Sequence, residues 1–217
     1  MMNEEIVKNP AIEEAFETIR MLDVFVQWYT LDEICEIYGG KSALTKAYIE
    51  EHPGEFPVYS AQTENDGVYG YINSFDYDGE FITWTMVGKA GVVFHRGGKF
   101  SASSGCGILK VKDGFNILPR FLFHYLSEHL WKYVNNEGMM GSMRLDAMKR
   151  VRVAVPHPLA QILIVTVLDA MTENFEKMEE GLKQTAKYYE AASEKIFDTL
   201  AEYKTDETDE NTPQLSA

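Results

Sequence analysis

Gly39-Gly40-Lys41-Ser42 is the first place in this 217-residue chain where residue types and spacing could do chemistry. A glycine turn, a lysine and a hydroxyl in that order are how a phosphate-cradling loop begins to hold a nucleotide. The earlier glycine that such a loop needs would fall at position 35, which is Cys35. The segment is also expected to follow a helix rather than a strand, so it reads as a lysine-bearing loop. His124 and His129 are five residues apart and do not share a helix face, which argues against a metal pair. His95 falls in an expected strand, with no serine or cysteine partner identifiable. The chain has no G-x-S-x-G, no H-E-x-x-H and no G-x-G-x-x-G. It also lacks the Asn/Asp-Pro-Pro-aromatic tetrad of amino-methyltransferases and any nuclease-like cluster of carboxylates with a lysine. No catalytic constellation emerges.

Composition bounds what remains. The chain is 45% hydrophobic and 12% aromatic, enough for one packed domain with an appendage and outside the disordered regime. Two cysteines, Cys35 and Cys106, without a C-x-x-C or a Cys/His cluster, fit a reduced cytoplasmic protein without a zinc site. The acidic, polar start is no secretory signal, and the longest apolar stretch, Ile162 to Leu168, is too short to span a bilayer.

The net charge of −14 weighs against nucleic acid, whose partners usually carry a basic footprint. Its distribution weakens that objection. Residues 1–27 hold 2 basic and 6 acidic side chains, residues 28–156 hold 13 and 15, and residues 157–217 hold 5 and 13. The acidity lies in the flanks, leaving a middle near neutrality.

The elements expected to position any site follow from local signals. Asn9-Pro10, with Glu13 and Glu14 behind it, opens a short helix from Ala11 to about Leu22. Thr30 and Glu33 form a capping box over residues 31–38, a helix that Gly39-Gly40 ends. From Phe56 to about Val111, short runs rich in Val, Ile, Tyr, Phe and Thr alternate with Asn-Asp-Gly, Asp-Gly and Gly-Gly turns, which predicts a mostly antiparallel sheet. Pro119 opens a helix with apolar Phe121, Tyr125, Leu126 and Leu130. Residues 135–142 read as a loop, and 150–155 as a last alternating strand before Pro156 and Pro158.

Beyond Pro158 lies the clearest periodicity. Leu168, Met171, Phe175, Met178, Leu182, Thr185, Tyr189, Ala192, Ile196 and Leu200 fall at 3/4 spacing, the seam of a coiled coil. A helix from about Leu159 to Tyr203 would be roughly 65–70 Å long at 1.5 Å per residue. The fold class is therefore α+β: a mixed globular domain with a mostly antiparallel sheet, then one long helix. The expected division is a helical segment over 1–27, a globular domain over 28–156, a pairing helix over 157–204, and a solvated, disordered acidic tail over 205–217.

The run from Phe56 to Gly114 closely resembles the target recognition domain of type I restriction-modification specificity subunits. The resemblance is carried by Trp28 to Cys35, by Pro57-Val58-Tyr59-Ser60-Ala61, by the Ile82-Thr83-Trp84-Thr85 strand and by the Gly98-Lys99-Phe100 turn. The exit from Gly138 through Pro156, Pro158 and Gln161 to Met171 completes it. One departure stands out: family members often carry an acidic or small, Asn-containing turn after the strand, where this chain has Met86-Val87-Gly88-Lys89. The resemblance implies a non-catalytic module that reads duplex DNA while modification and restriction subunits supply the chemistry. S-adenosylmethionine, ATP and magnesium would sit on those partners only, and no cofactor or metal on this chain. Family members of full length carry two recognition domains joined by two antiparallel helices. One domain and one helix here imply a half-unit that homodimerises through Leu168, Met171, Phe175, Met178, Leu182, Tyr189, Ile196 and Leu200 to read a symmetric split site.

Under that resemblance, contacts to bases and phosphates fall to amide, hydroxyl and cationic side chains in loops. After the first helix these are Lys41, Ser42, Thr45 and Lys46. After β-strand residues 57–59 they are Ser60, Gln62, Thr63 and Asn65. Lys89, Arg96 and Lys99 are placed on the next turns, with Ser101, Ser103 and Ser104 beyond, and Ser142 and Arg144 after the Met-Gly loop. Gln62 and Asn65 are the expected base readers, and Lys41 and Lys46 the expected phosphate contacts. Trp84 and Tyr59 are expected in the core. The rival reading is a non-catalytic interaction protein, a truncated specificity subunit or an acidic DNA mimic, for which the charge of −14 is the support.

Overall fold

The computed structural model describes Glu17 and residues 26–206; for 194 and 196–206 it describes the backbone alone. Apart from Glu17, which is helical and exposed, the expected helix over Ala11–Leu22 lies outside the described residues, as does the tail from 207 onward. The chain divides into two units, the first ending at Leu168 and the second beginning at Asp169.

In the first unit the order is β1 (Gln27–Thr30), α1 (Leu31–Ile34), β2 (Cys35–Gly39), α2 (Lys46–Glu51), β3 (Pro53–Tyr59), β4 (Val68–Ile72), β5 (Tyr77–Thr85), β6 (Val87–Gly88), β7 (Val93–Ala102), β8 (Cys106–Val111), α3 (Pro119–His129), β9 (Gly141–Ser142), α4 (Leu145–Lys149) and β10 (Arg152–Val155). The long α5 (Pro158–Asp206) follows and runs on into the second unit. A six-stranded sheet has the order β2-β8-β5-β7-β3-β4, with β1-β10 and β6-β9 as separate pairs. Among the strands named, every pairing is antiparallel except β3 with β7. The α+β class and the mostly antiparallel sheet are as the sequence predicts.

The capping box at Thr30 forms: the Glu33 carboxylate accepts from the Thr30 backbone N–H at 2.6 Å and its hydroxyl at 2.9 Å. Those bonds hold the Glu33 carboxyl below its usual range. The helix it opens is shorter than expected. It stops after Ile34, and Cys35–Gly39 pairs with β8 in register from Cys35–Val111 to Gly39–Gly107. The reason is visible in the side chains, since Cys35 is buried, Glu36 exposed, Ile37 half-buried and Tyr38 exposed, a period of two rather than 3.6. Gly39-Gly40-Lys41 therefore follows a strand after all. The nucleotide-loop reading still fails at Cys35.

The sheet is sharply curled. Phe100 faces Tyr77 on β5, so Ala102 lies beyond that end, whereas Cys106 faces Thr85 at the other. In a flat sheet those positions would be about 33 Å apart. Yet only residues 103–105 connect them, a reach of at most about 15 Å. The bend lies where Gly79 (φ +125°) faces Gly98 (φ +79°), a backbone that only glycine adopts without strain. It brings the rings of Phe81 and Phe100 to 5.4 Å, over a small core with Tyr59, Ala102, Cys106 and Ile108. Gly97-Gly98 is thus a bend inside β7, where the sequence predicts a turn.

The larger core lies on the other side of the sheet, where Ile82, Trp84 and Leu109 meet Leu31 and Ile34 of α1, Phe121, Leu122 and Leu126 of α3, and Met148 of α4. Trp84 is fully buried and donates Nε1–H to the Met143 carbonyl at 2.9 Å. Its ring lies against Gly107, where a Cβ would come within 2.2 Å of the indole. Where α5 begins, Gln161 is fully buried and all its amide groups are used. It accepts from the Leu118 N–H at 2.9 Å and donates to the carbonyls of Asn116 at 3.0 Å and Pro156 at 2.9 Å.

The described part of the second unit is the remainder of α5. From Met171 through Ala192 every described side chain is exposed. Among the described residues, no helix is long and apolar enough to cross a membrane.

Candidate nucleic-acid interface

Five loops converge at one rim of the first unit, tied by backbone hydrogen bonds. Lys41 N–H donates to the Ala102 carbonyl at 2.7 Å, and Gly40 N–H to that of Cys106 at 2.9 Å, so the loop after β2 lies on the β7–β8 turn. Ser103 N–H donates to Tyr59 at 2.8 Å, which adds the loop between β3 and β4. Met86 N–H donates to Gly105 at 2.9 Å, and Met143 N–H to Met86 at 2.9 Å, which adds the segments around β6 and β9. Val87 pairs with Ser142 and Gly88 with Gly141.

Most of the side chains singled out by the sequence sit on this rim. Lys41 is exposed and ion-paired with Asp76, whose carboxylate holds the ammonium above the usual lysine range. Ser42 and Ser104 are exposed in turns, and Ser103 is half-buried beside Lys41. Ser60 accepts from the Gln62 N–H at 3.2 Å, and Gln62 Nε2 donates to the Val68 carbonyl. Ala61, Gln62, Thr63, Glu64, Asn65 and Lys89 line a cleft of about 270 Å³. Asn65 and Lys89 are exposed on it, and Arg144 is exposed at the start of α4, with Ser142 half-buried before it.

Four residues are placed differently from expectation. Lys46 is on a helix rather than a loop: Thr45 caps α2 by accepting from Tyr48 N–H at 3.2 Å, and Lys46 lies 3.9 Å from Glu50 along it. Lys99 stands at the β7 bend with its ammonium 4.6 Å from the centre of the Phe75 ring. Ser101 is buried and accepts from Asp76 N–H at 3.1 Å. Arg96 is 2% exposed in mid-strand, so it is removed from the set of direct contacts. Its Nε donates to Thr83 Oγ1 at 3.1 Å, and the guanidinium lies 3.7 Å over the Tyr59 ring. The sequence reading passed over its partner Asp66, and also Met139 and Met140, which are exposed in the loop leading to β9.

The rim thus presents amide, hydroxyl and cationic side chains next to Glu64, Asp66 and Asp76. Residues 25–188 match the family model of the type I restriction modification DNA specificity domain.

The chain belongs to this family.

The type I specificity match takes in the whole rim and the first part of α5. Two relatives from Mycoplasma pneumoniae are each 43% identical over 154 residues, 71% of this chain: a putative type I specificity subunit and the specificity subunit of the type I restriction enzyme MpnII. The chain spans 64% of the former's length and 46% of the latter's. Among solved structures, the S subunit of a type I restriction-modification system from M. genitalium has a TM-score of 0.59 at 16% identity, over 71% of this chain and 41% of that one. The HsdS subunit from Thermoanaerobacter tengcongensis has a TM-score of 0.57 at 14% identity, over 83% and 49%. These likenesses show the fold of the type I specificity subunits, including the long helix after the domain.

Proposed function

We propose that this chain reads DNA sequence for a type I restriction-modification complex by laying the loop rim against the duplex. The observation that carries the reading is the convergence of five loops, each bringing amide, hydroxyl or cationic side chains to one end of the sheet. Asn65 reads a base edge, for which a donor and an acceptor on one planar group suit adenine. Lys41, Lys89, Arg144 and the serines of the turns hold the phosphates, and Lys46 follows Lys41 on the first turn of α2. Gln62 presents its amide with the nitrogen already tied to Val68.

The chain performs no catalysis in this reading. Methyltransferase and restriction subunits supply it, with S-adenosylmethionine, ATP and magnesium bound there. Two copies pair through the apolar stripe of α5, in which Met171, Phe175, Met178, Leu182 and Tyr189 are 37–74% exposed. Leu168 is half-buried in the first unit, and Ile196 and Leu200 lie where side chains are not described. Paired copies read a split target of two inverted halves.

Selection of randomised duplexes by the full chain with a methyltransferase subunit tests the reading, and one enriched split motif is the expected result. The net charge of −14 favours a second reading, an acidic decoy that occupies the complex in place of DNA. A decoy enriches nothing and lowers DNA binding by the partner subunits.

A further inference from the structure

Asn65, Asp66 and Gly67 have φ of 49°, 53° and 73°, three left-handed residues in succession of which only one is glycine. Asn and Asp visit this region singly, and a run of them is unfavourable unless the surroundings hold it. What holds it comes from inside the domain. Arg96, anchored on Thr83 and stacked 3.7 Å over Tyr59 and 4.4 Å over Phe94, donates Nη2–H to the Asp66 carbonyl at 2.6 Å and Nη1–H to the Asp66 carboxylate. The turn is closed by Gly67 N–H to Glu64 at 2.9 Å and Ser60 N–H to Gly67 at 3.1 Å. A rigid strand therefore fixes both the backbone and the side chain of one loop residue. The residue before it, Asn65, is exposed.

We propose that Arg96 is a positioning residue for base reading: through Asp66 it sets the left-handed turn that presents Asn65 to the duplex. The inference rests on the reading of the rim as the DNA-facing surface. Arg96 itself touches no DNA in this arrangement. Its guanidinium is preorganised so that Asn65 meets the base without ordering the loop at the moment of binding, which is where affinity and discrimination are otherwise lost.

The test is selection from randomised duplexes by the full chain with a methyltransferase subunit, comparing wild type with N65A, D66N, R96K and the double variant N65A/D66N. N65A is expected to flatten preference at one base pair, on the order of tenfold. R96K should flatten that same position and no other, D66N should flatten it by less because it keeps an acceptor for Arg96, and the double variant should add nothing to N65A. D66N keeps a residue that tolerates the left-handed turn on the surface, so it remains informative if R96K melts too early to use. Preference kept sharp at the Asn65 position in D66N overturns the proposal, as does an equal loss at every position, which marks a purely structural role. A wild-type chain that enriches no motif overturns the DNA-facing reading of the rim, and the positioning role falls with it.

Discussion

The guanidinium of Arg96, 2% exposed, is joined to the carboxylate of Asp66, 69% exposed, across the base of the β3–β4 loop. The pair couples a buried cation to a surface loop, so its two halves are unequal in energy. Asp66→Ala leaves the cation in the interior without its counter-charge and should cost about 2–3 kcal/mol, below the range for fully buried pairs because one partner is solvated. Asp66→Asn keeps an acceptor and should cost about 1 kcal/mol. Urea unfolding of the three chains checks the order, and equal midpoints would show that the ion pair contributes nothing.

Gly107 faces Trp84 so closely that no side chain fits. Gly107→Ala should destabilise the domain by about 3 kcal/mol, because the added Cβ meets the rigid indole rather than a flexible tip. Combining it with Trp84→Leu should cost less than the sum of the two single changes, since the smaller side chain vacates the contested space. Strict additivity would mean that the two positions do not touch.

Both thiols are buried, and burial pushes the pKa of Cys35 and of Cys106 up to about 12 from an ordinary 9.0. Neither should react with iodoacetamide at pH 8 in the folded chain. A raised thiol pKa leaves stability intact below about 9. Above that, the unfolded thiol sheds a proton that the folded one keeps, so stability falls toward pH 12 by roughly 1 kcal/mol per thiol per pH unit. Denaturant midpoints at pH 8, 9.5 and 10.5 should descend in that order, less steeply in Cys35→Ala.

The stripe on α5 is laced on its polar face by Lys177–Glu173 at 2.7 Å and Lys183–Glu179 at 3.1 Å, which support a single helix but no partner choice. Phe175→Glu with Leu182→Glu puts like charges into the proposed seam. Light scattering should then give a monomer mass where the parent chain gives a dimer. An identical mass for both chains would remove the stripe from pairing.

The parts of the fold legible in the sequence are those that obey one local rule. The strand runs between Phe56 and Val111, Pro119 as a helix start and the 3/4 stripe of α5 fall in this class. Cys35–Gly39 was not legible, because a real cap at Thr30 announces a helix, and only pairing with β8 ends it after four residues. The positions of Arg96 and Lys99 are not legible, because Gly97-Gly98 looks like a hairpin turn. It bends a paired strand instead, since its partner Gly79 lies far off in sequence. The candidate site was legible by residue type but not by burial. Lys41, Asn65 and Lys89 stand exposed on the rim, whereas the conformation of Asn65 depends on Asp66 and Arg96, which lie 30 residues apart.

Photocrosslinking shows directly whether this rim meets DNA. The full chain with a methyltransferase subunit would be bound to its selected duplex, with 5-iodouracil at successive thymine positions. Crosslinked peptides should come from 40–45, 60–67, 86–91, 103–105 and 135–144, with Asn65 among them. Crosslinks confined to β1 and β10 or to α5, with none on the rim, would contradict the account.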